Sequence, residues 1–223
     1  MDSRKYFEAY DERYAQVHCQ NLQWFADTPS PIVGEVLAEF QPGPKMLEIG
    51  CGEGRDAGFL LEQGHDVLTT DISPNAISYC QRKFPQWAEH FQVLDCLSQR
   101  LEEKYDFIYA VAVIHMLVED VHRDGFYAFP REQLSETGIA LICSMGDGEF
   151  ERKSDVSNAF ALQERTHEQT GKTVHIASTS CRMVSFDTFR EELKRNGLAI
   201  VKEGITAIEP DFSSMMYAVV KRA

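Results

Sequence analysis

From about residue 45 onward, short β-branched or apolar runs alternate with stretches whose apolar positions recur at helical spacing. The runs at 46–49, 66–71, 91–94, 105–113, 138–144, 199–208 and 215–221 predict strands. Between the first two, 55–63 reads as a helix stopped by Gly64; after the second, Ser73 caps a helix that starts at Pro74 and runs to about Phe84. Repeated strand–helix units require right-handed crossovers between parallel strands. The pattern therefore predicts a doubly wound α/β fold, with a mainly parallel seven-stranded sheet and helices on both faces. Only 209–214 separates the last two runs, too little for a helix, so they predict a C-terminal antiparallel hairpin.

Two stretches fall outside this alternation. Residues 1–44 carry Tyr6, Tyr10 and Tyr14 at helical spacing, then Trp24 and Phe25, then a predicted helix at 31–40 capped by Ser30. Residues 146–182 are polar, with a helix predicted near 155–167. One domain is expected over 1–223: a helical lid or cap at 1–44, a binding core at 45–145, a substrate-side insertion at 146–182, and a closing helix and hairpin at 183–223. Both irregular stretches are expected beside the carboxyl ends of the strands, where open α/β sheets bind ligands.

Composition narrows the class. Hydrophobic residues are 43% and charged residues 26%, enough apolar surface for a core. The net charge of −13 would repel nucleic acid and anionic membrane surfaces unless a local basic cleft overrides it. Six cysteines (Cys19, Cys51, Cys80, Cys96, Cys143, Cys181) form no CxxC pair and no zinc-ligand spacing, so no metal is expected and free thiols in a reducing compartment are. No apolar run has membrane-spanning length and the N-terminal stretch lacks a signal-peptide core, so the expectation is a cytoplasmic protein.

The most informative stretch is MLEIGCGEGRDAGFL: a strand, then Gly50, Gly52 and Gly54 in alternate positions, then a helix. Glycine lets the backbone turn tightly and approach a ligand, and the helix start offers unpaired N–H groups. Asp71 ends the second strand about twenty residues after the first loop glycine, where an acid can accept from ribose hydroxyls. Asp95 follows the third strand, placed to accept from an exocyclic amine. Glu48 precedes the glycines, where a negative charge is unfavourable beside a pyrophosphate, so a cofactor presenting a cation is expected.

EIGCGEG at 48–54, Asp71, Asp95 and YDFIYAVAVIHM at 105–116 resemble, in order and separation, the motifs of class I S-adenosylmethionine-dependent methyltransferases. The resemblance covers about 44–145, and FDTFREELKRNGLAI with MMYAVVKRA is similar to that family's last helix and hairpin. GRDAGFLLEQGHDV further resembles the small-molecule subgroup that includes tellurite-resistance and thiopurine methyltransferases. The resemblance implies a Rossmann-like methyltransferase fold with S-adenosyl-L-methionine as cofactor. It implies that Glu48, Gly50, Cys51, Gly52 and Gly54 hold its methionine part, Asp71 its ribose and Asp95 with Cys96 its adenine, with Ile72 a further cofactor contact, while Ala112 lines the cleft. Arg55, in the first helical turn, either meets the cofactor's carboxylate or faces solvent.

His115 follows the fourth strand, where the transferring methyl group is expected, and is the candidate catalytic base. Because a sulfonium is already activated, positioning alone is the alternative. Tyr6, Tyr10, Tyr14 and Trp24 are candidates for an aromatic lid over the cofactor or substrate, against the alternative of a packed helix face; His175, Cys181 and Arg182 are substrate candidates by position. A monomer or homodimer acting on a small molecule is expected. No Asn/Asp-Pro-Pro-aromatic motif points to a flipped base, and the two-glutamate hairpin of the protein-arginine enzymes has no obvious counterpart. The alternatives are a nicotinamide-dependent oxidoreductase, against which Glu48 and the hairpin speak, and a non-catalytic cofactor-binding partner subunit. If part of the excess negative charge rims the acceptor pocket, a cationic or amine substrate is expected.

Overall fold

A computed structural model describes residues 4–167 and 169–223. A 3-10 turn at Tyr6–Glu8 leads into α1 (Ala9–His18), and α2 (Pro31–Phe40) follows. The alternating core comprises β1 (Met46–Ile49), α3 (Arg55–Glu62), β2 (Val67–Asp71), α4 (Pro74–Lys83), β3 (Phe91–Val93), β4 (Tyr105–Ala110), α5 (Asp120–Gln133) and β5 (Leu134–Met145). Four short strands come next: β6 (Arg152–Lys153), β7 (Leu162–Thr166), β8 (Thr173–Ala177) and β9 (Arg182–Met183). The chain closes with α6 (Phe186–Arg195), β10 (Leu198–Ile208) and β11 (Phe212–Arg222).

The seven-stranded sheet has the order β10-β11-β5-β4-β1-β2-β3. β11 runs antiparallel to both β10 and β5, and every other pair is parallel. Every residue of β1 is buried, as expected for a strand covered by helices on both faces. One apolar layer gathers Phe126, Phe129, Phe189 and Met216 on one face of the sheet. Another gathers Val33, Leu60, Phe107 and Val219 around α2 and α3. The order reverses between β1 and β4, and a crevice opens at the carboxyl ends of those strands.

Ser73 caps α4 as predicted, its hydroxyl accepting from the Ala76 N–H at 3.0 Å. Ser30 starts α2, but its hydroxyl donates to Asp56 at 2.7 Å instead of capping its own helix. The strand predicted at 105–113 ends at Ala110: Ala112 takes φ +60°, and the chain turns into a 3-10 turn at Ile114–Met116. An unbroken apolar run hid this turn from the hydrophobic pattern. The helix predicted near 155–167 is corrected: that stretch is a 3-10 turn, Val156–Asn158, followed by β7, which pairs antiparallel with β8 from Leu162↔Ala177 to Thr166↔Thr173. β8 alternates and buries Val174 and Ile176 against Val17 and Leu22, so the ribbon gains on the N-terminal helix an apolar contact that an isolated polar helix would lack.

Candidate active site

The glycine loop is held by the strand beside it. Gly50 and Cys51 both donate backbone N–H groups to the Thr70 carbonyl, at 2.7 and 3.0 Å, and the Gly52 N–H donates to Asp71 Oδ2 at 2.9 Å. Asp71 Oδ1 accepts from the Ser73 N–H at 2.8 Å, so one carboxylate joins the loop to the start of α4. Burial pushes the Asp71 carboxyl up to about 6, against the pull of those N–H donors. Gly52 has φ +53°, and a Cβ there would lie 2.7 Å from the Tyr14 hydroxyl, which explains why only glycine fits.

Three cavities meet at the sheet's carboxyl edge. A narrow loop pocket of about 40 Å³ is lined by Glu48, Gly50, Cys51, Gly52, Arg55 and Ala112, with Glu53, Tyr14 and Phe25 closing it. A second, of about 80 Å³, is lined by Asp71, Ile72, Asp95, Cys96, Tyr10 and Tyr14. The third is an outer cavity of about 490 Å³, bounded by Tyr10, Trp24, Phe25, His115, Phe212 and the β7–β9 segments. Gly50 and Tyr14 border the first and second, Phe25 and Phe212 the first and third, and Met116 all three. They form one branched cleft whose junction is Met116.

Glu48 is buried, and its Oε2 has no hydrogen-bond partner among the described residues. Burial first, and then the nearby Asp56 charge, push its carboxyl well above the usual range. A cationic group entering the loop pocket would supply the missing donor, whereas a pyrophosphate would add charge of the same sign. Asp95 is pushed up by partial burial, but hydrogen bonds from Ser98, the Leu97 N–H and Lys5 outweigh this and hold it below the ordinary carboxylate value. Burial pushes the Cys96 thiol up to about 12, so it packs as an apolar group and is not a nucleophile.

Several predicted residues stand elsewhere. Gly54, at φ +77°, starts α3, and a Cβ on it would meet Cys80 and Phe84 at 3.0 Å; it serves helix packing and does not line the cleft. The Tyr6 hydroxyl accepts from the Val118 and Glu119 N–H groups, at 2.8 and 3.1 Å, and its ring packs on the core, so it fastens the N-terminal segment and is no part of a lid. His175 lies on the outer face of β8 beside Glu164, because the alternation that turns Val174 and Ile176 inward turns it outward. Arg182 donates to the Val118 carbonyl and to Asp120, drawing its guanidinium away from the cavity; its neighbours Cys181 and Met183 line it instead. Tyr10, Tyr14 and Trp24 do border the cleft.

His115 lines the outer cavity with a buried Nδ1 that lacks a partner among the described residues. Burial, with a smaller push from the Arg123 charge, lowers its pKa to about 3 and leaves it neutral. The turn bearing it is shaped by Arg123, whose Nη1 donates to the Ile114 and Leu117 carbonyls at 2.8 and 3.1 Å.

Sequence reasoning missed the acids that fasten 1–44 to the core. Glu53 accepts from His18 and from the Trp24 and Phe25 N–H groups, each at 2.8 Å; Asp56 accepts from the Ser30 N–H at 2.6 Å; Asp11 accepts from Ser73 and Asn75. Arg55 donates to Asp211 at 3.1 Å, its guanidinium 5.7 and 5.8 Å from the Phe25 and Phe212 ring centres. None of these partners shares a local motif with its acid, so no sequence signal marks them.

Residues 47–133 match the family model of a methyltransferase domain. Hemagglutinin 1 of Eikenella corrodens is 30% identical over 123 residues, covering 49% of this chain and 40% of that protein. A Haemophilus influenzae protein described as "Probable S-adenosyl-L-methionine-dependent methyltransferase TehB" is 27% identical over 108 residues, covering 45% of this chain and 37% of its own length. The chain thus spans less than half the length of these curated relatives. The Burkholderia thailandensis 1,6-didemethyltoxoflavin-N1-methyltransferase, solved with 1,6-didemethyltoxoflavin and S-adenosylhomocysteine, superposes with a TM-score of 0.71 at 16% identity, over 100% of this chain and 93% of that one. The CcbJ methyltransferase of Streptomyces caelestis gives 0.70 at 15% identity, over 96% and 99%.

Proposed function

We propose that this chain, which carries a methyltransferase domain on a class I methyltransferase fold, is an S-adenosylmethionine-dependent enzyme that methylates an O, N or S nucleophile of a small molecule. The observation that carries the reading is the branched cleft: two narrow arms bearing the family's motif residues converge at Met116 on a cavity large enough for a second molecule. When bound, the cofactor would supply a methyl group on a sulfonium: the acceptor's lone pair would form the new bond, the C–S electron pair would return to sulfur, and a proton carried by the acceptor would pass to solvent.

The chain's own residues bind and orient. Glu48 and the loop from Gly50 to Gly52 receive the methionine end, with the Glu48 carboxylate meeting its ammonium. Asp71 accepts from the ribose hydroxyls, while Asp95, with Ile72 and Cys96 beside it, takes the adenine. Tyr14 borders both arms, and Phe25 and Phe212 stand where the loop pocket meets the outer cavity. His115, neutral at any working pH, orients the acceptor through its free ring nitrogen; with a pKa near 3 it is too weak a base to drive proton removal. Alignment and exclusion of water thus supply the catalysis.

Calorimetric titration with S-adenosylhomocysteine tests the reading. Saturable binding is expected, and the absence of heat or of a thermal shift at millimolar ligand would overturn it.

A further inference from the structure

The outer cavity has a charge opposite to that of the chain. The protein carries a net charge of −13, yet three arginines line this cavity, Arg13, Arg152 and Arg165, against one carboxylate, Asp211. That carboxylate is held by Arg55 and by the Ala26 N–H, both at 3.1 Å. No carboxylate of the described residues lies within ion-pair distance of the three cavity arginines. The expectation that excess acid rims the acceptor site is therefore corrected.

Arg13 is the deepest of the three. Its Nη2 donates to the Ala177 and Ser178 carbonyls and to Thr179 Oγ1, at 3.0, 2.8 and 2.7 Å, and the guanidinium lies 5.3 Å from the Trp24 ring centre. It is a largely buried cation among neutral dipoles and aromatic faces, an arrangement that leaves positive charge uncompensated in a low dielectric. Arg152 and Arg165 line the same cavity from β6 and β7, exposed and with no side-chain hydrogen bond to any described residue. Toward the junction the wall turns apolar, with Phe25, Phe212 and Met116.

We infer that the outer cavity takes an anionic acceptor: a small molecule with a carboxylate or phosphoryl group held by Arg13, Arg152 and Arg165, and an apolar, ring-sized body against Phe25 and Phe212. The guanidinium fork suits either anion, and two or more forks converging on one group give orientation as well as affinity. The placement of the acceptor's nucleophile at Met116 rests on the methyltransferase reading; the anion site does not.

The test titrates the protein, with and without saturating S-adenosylhomocysteine, with benzoate, phenyl phosphate, benzamide and benzylamine, read by calorimetry and by tryptophan fluorescence, since Trp24 lines the cavity. One or both anions are expected to bind, the better of them naming the preferred head group, with affinity falling as salt rises. Benzamide and benzylamine are expected to bind at least tenfold more weakly. The exposed pair Arg152→Gln with Arg165→Gln is expected to weaken the anion by about tenfold per arginine, leaving thermal stability and S-adenosylhomocysteine affinity unchanged. Equal binding of benzamide, binding of neither anion at millimolar concentration, or an unaltered affinity in the double variant overturns the proposal. S-adenosylhomocysteine binding that survives such a result leaves the methyltransferase reading standing. Its absence, with anion binding intact, overturns that reading alone.

Discussion

The frame, β1 to β5 with its glycine loop, and the roof, α1 with the β7–β8 ribbon, meet at one cleft but are built by different rules. In the frame the central strands β1 and β4 are buried between helices, and the glycine loop is held by groups on the next strand and the turn after it, as when Asp71 holds both Gly52 and Ser73. In the roof the partners are remote: Arg13 reaches Ser178 across 165 positions, the Tyr10 hydroxyl donates to the Ser180 carbonyl, and Gln16 accepts from the Ala177 N–H. The difference teaches that the loop side of a cleft can be set by local chain chemistry while its outer cavity depends on two distant segments finding each other.

The sharpest way to break the frame is Glu192→Ala. Glu192 accepts from Arg123 Nε and Nη2, at 2.8 and 2.6 Å, and from the Tyr127 hydroxyl at 2.7 Å, and both charged side chains are fully buried. Its loss leaves an unpaired buried guanidinium, and urea denaturation is expected to show about 3–5 kcal/mol of destabilisation. Asp71→Ala removes the acceptor of two N–H groups and, on the proposed function, of the ribose. S-adenosylhomocysteine affinity, measured by calorimetry, is expected to fall about a hundredfold.

The roof yields to a gentler change. Glu53→Gln weakens the anchor of Trp24 and Phe25, with an expected cost of about 1–2 kcal/mol confined to the N-terminal segment; faster hydrogen exchange at those two amides, with β1 and β4 unaffected, checks it.

Acid supplies a graded test. Under the proposed function ribose hydroxyls donate to the ionised Asp71, so cofactor-product affinity is expected to fall about tenfold as pH drops from 7 to 5 through its value of about 6. On stability the sign is reversed. Because the folded pKa is raised, the folded state holds this proton more tightly; that stabilisation is complete below about 3.8 and is lost as pH climbs through about 6. His115 acts oppositely: its folded pKa is depressed from 6.5 to about 3, so its contribution is present above 6.5 and is lost as pH falls toward 3. The smallest expected effect belongs to His175→Ala on the exposed face of β8, for which neither cofactor nor anion titration should move.

The alternation of strands and helices, the closing hairpin and the gathering of Glu48, Asp71 and Asp95 at one cleft were legible because each follows from a short-range pattern: apolar runs, alternate glycines, a carboxylate at a strand end. Ala112 was not, since a left-handed turn inside an apolar run leaves no trace in hydrophobicity. Nor was the ribbon, whose β7 is almost wholly polar and becomes a strand only by pairing with β8. The cavity arginines were equally hidden. Arg13, Arg152 and Arg165 are ordinary surface residues in a linear reading, and their common site exists only in three dimensions.

The long reach from Arg13 to Ser178 sets an order in time as well as in space. A contact spanning 165 positions forms only after the intervening chain has condensed, because loop closure must precede any gain from it. The sheet therefore assembles first and the chamber above it last. If the contacts that form last are also the first to open, the chamber can loosen through excursions that leave the sheet intact.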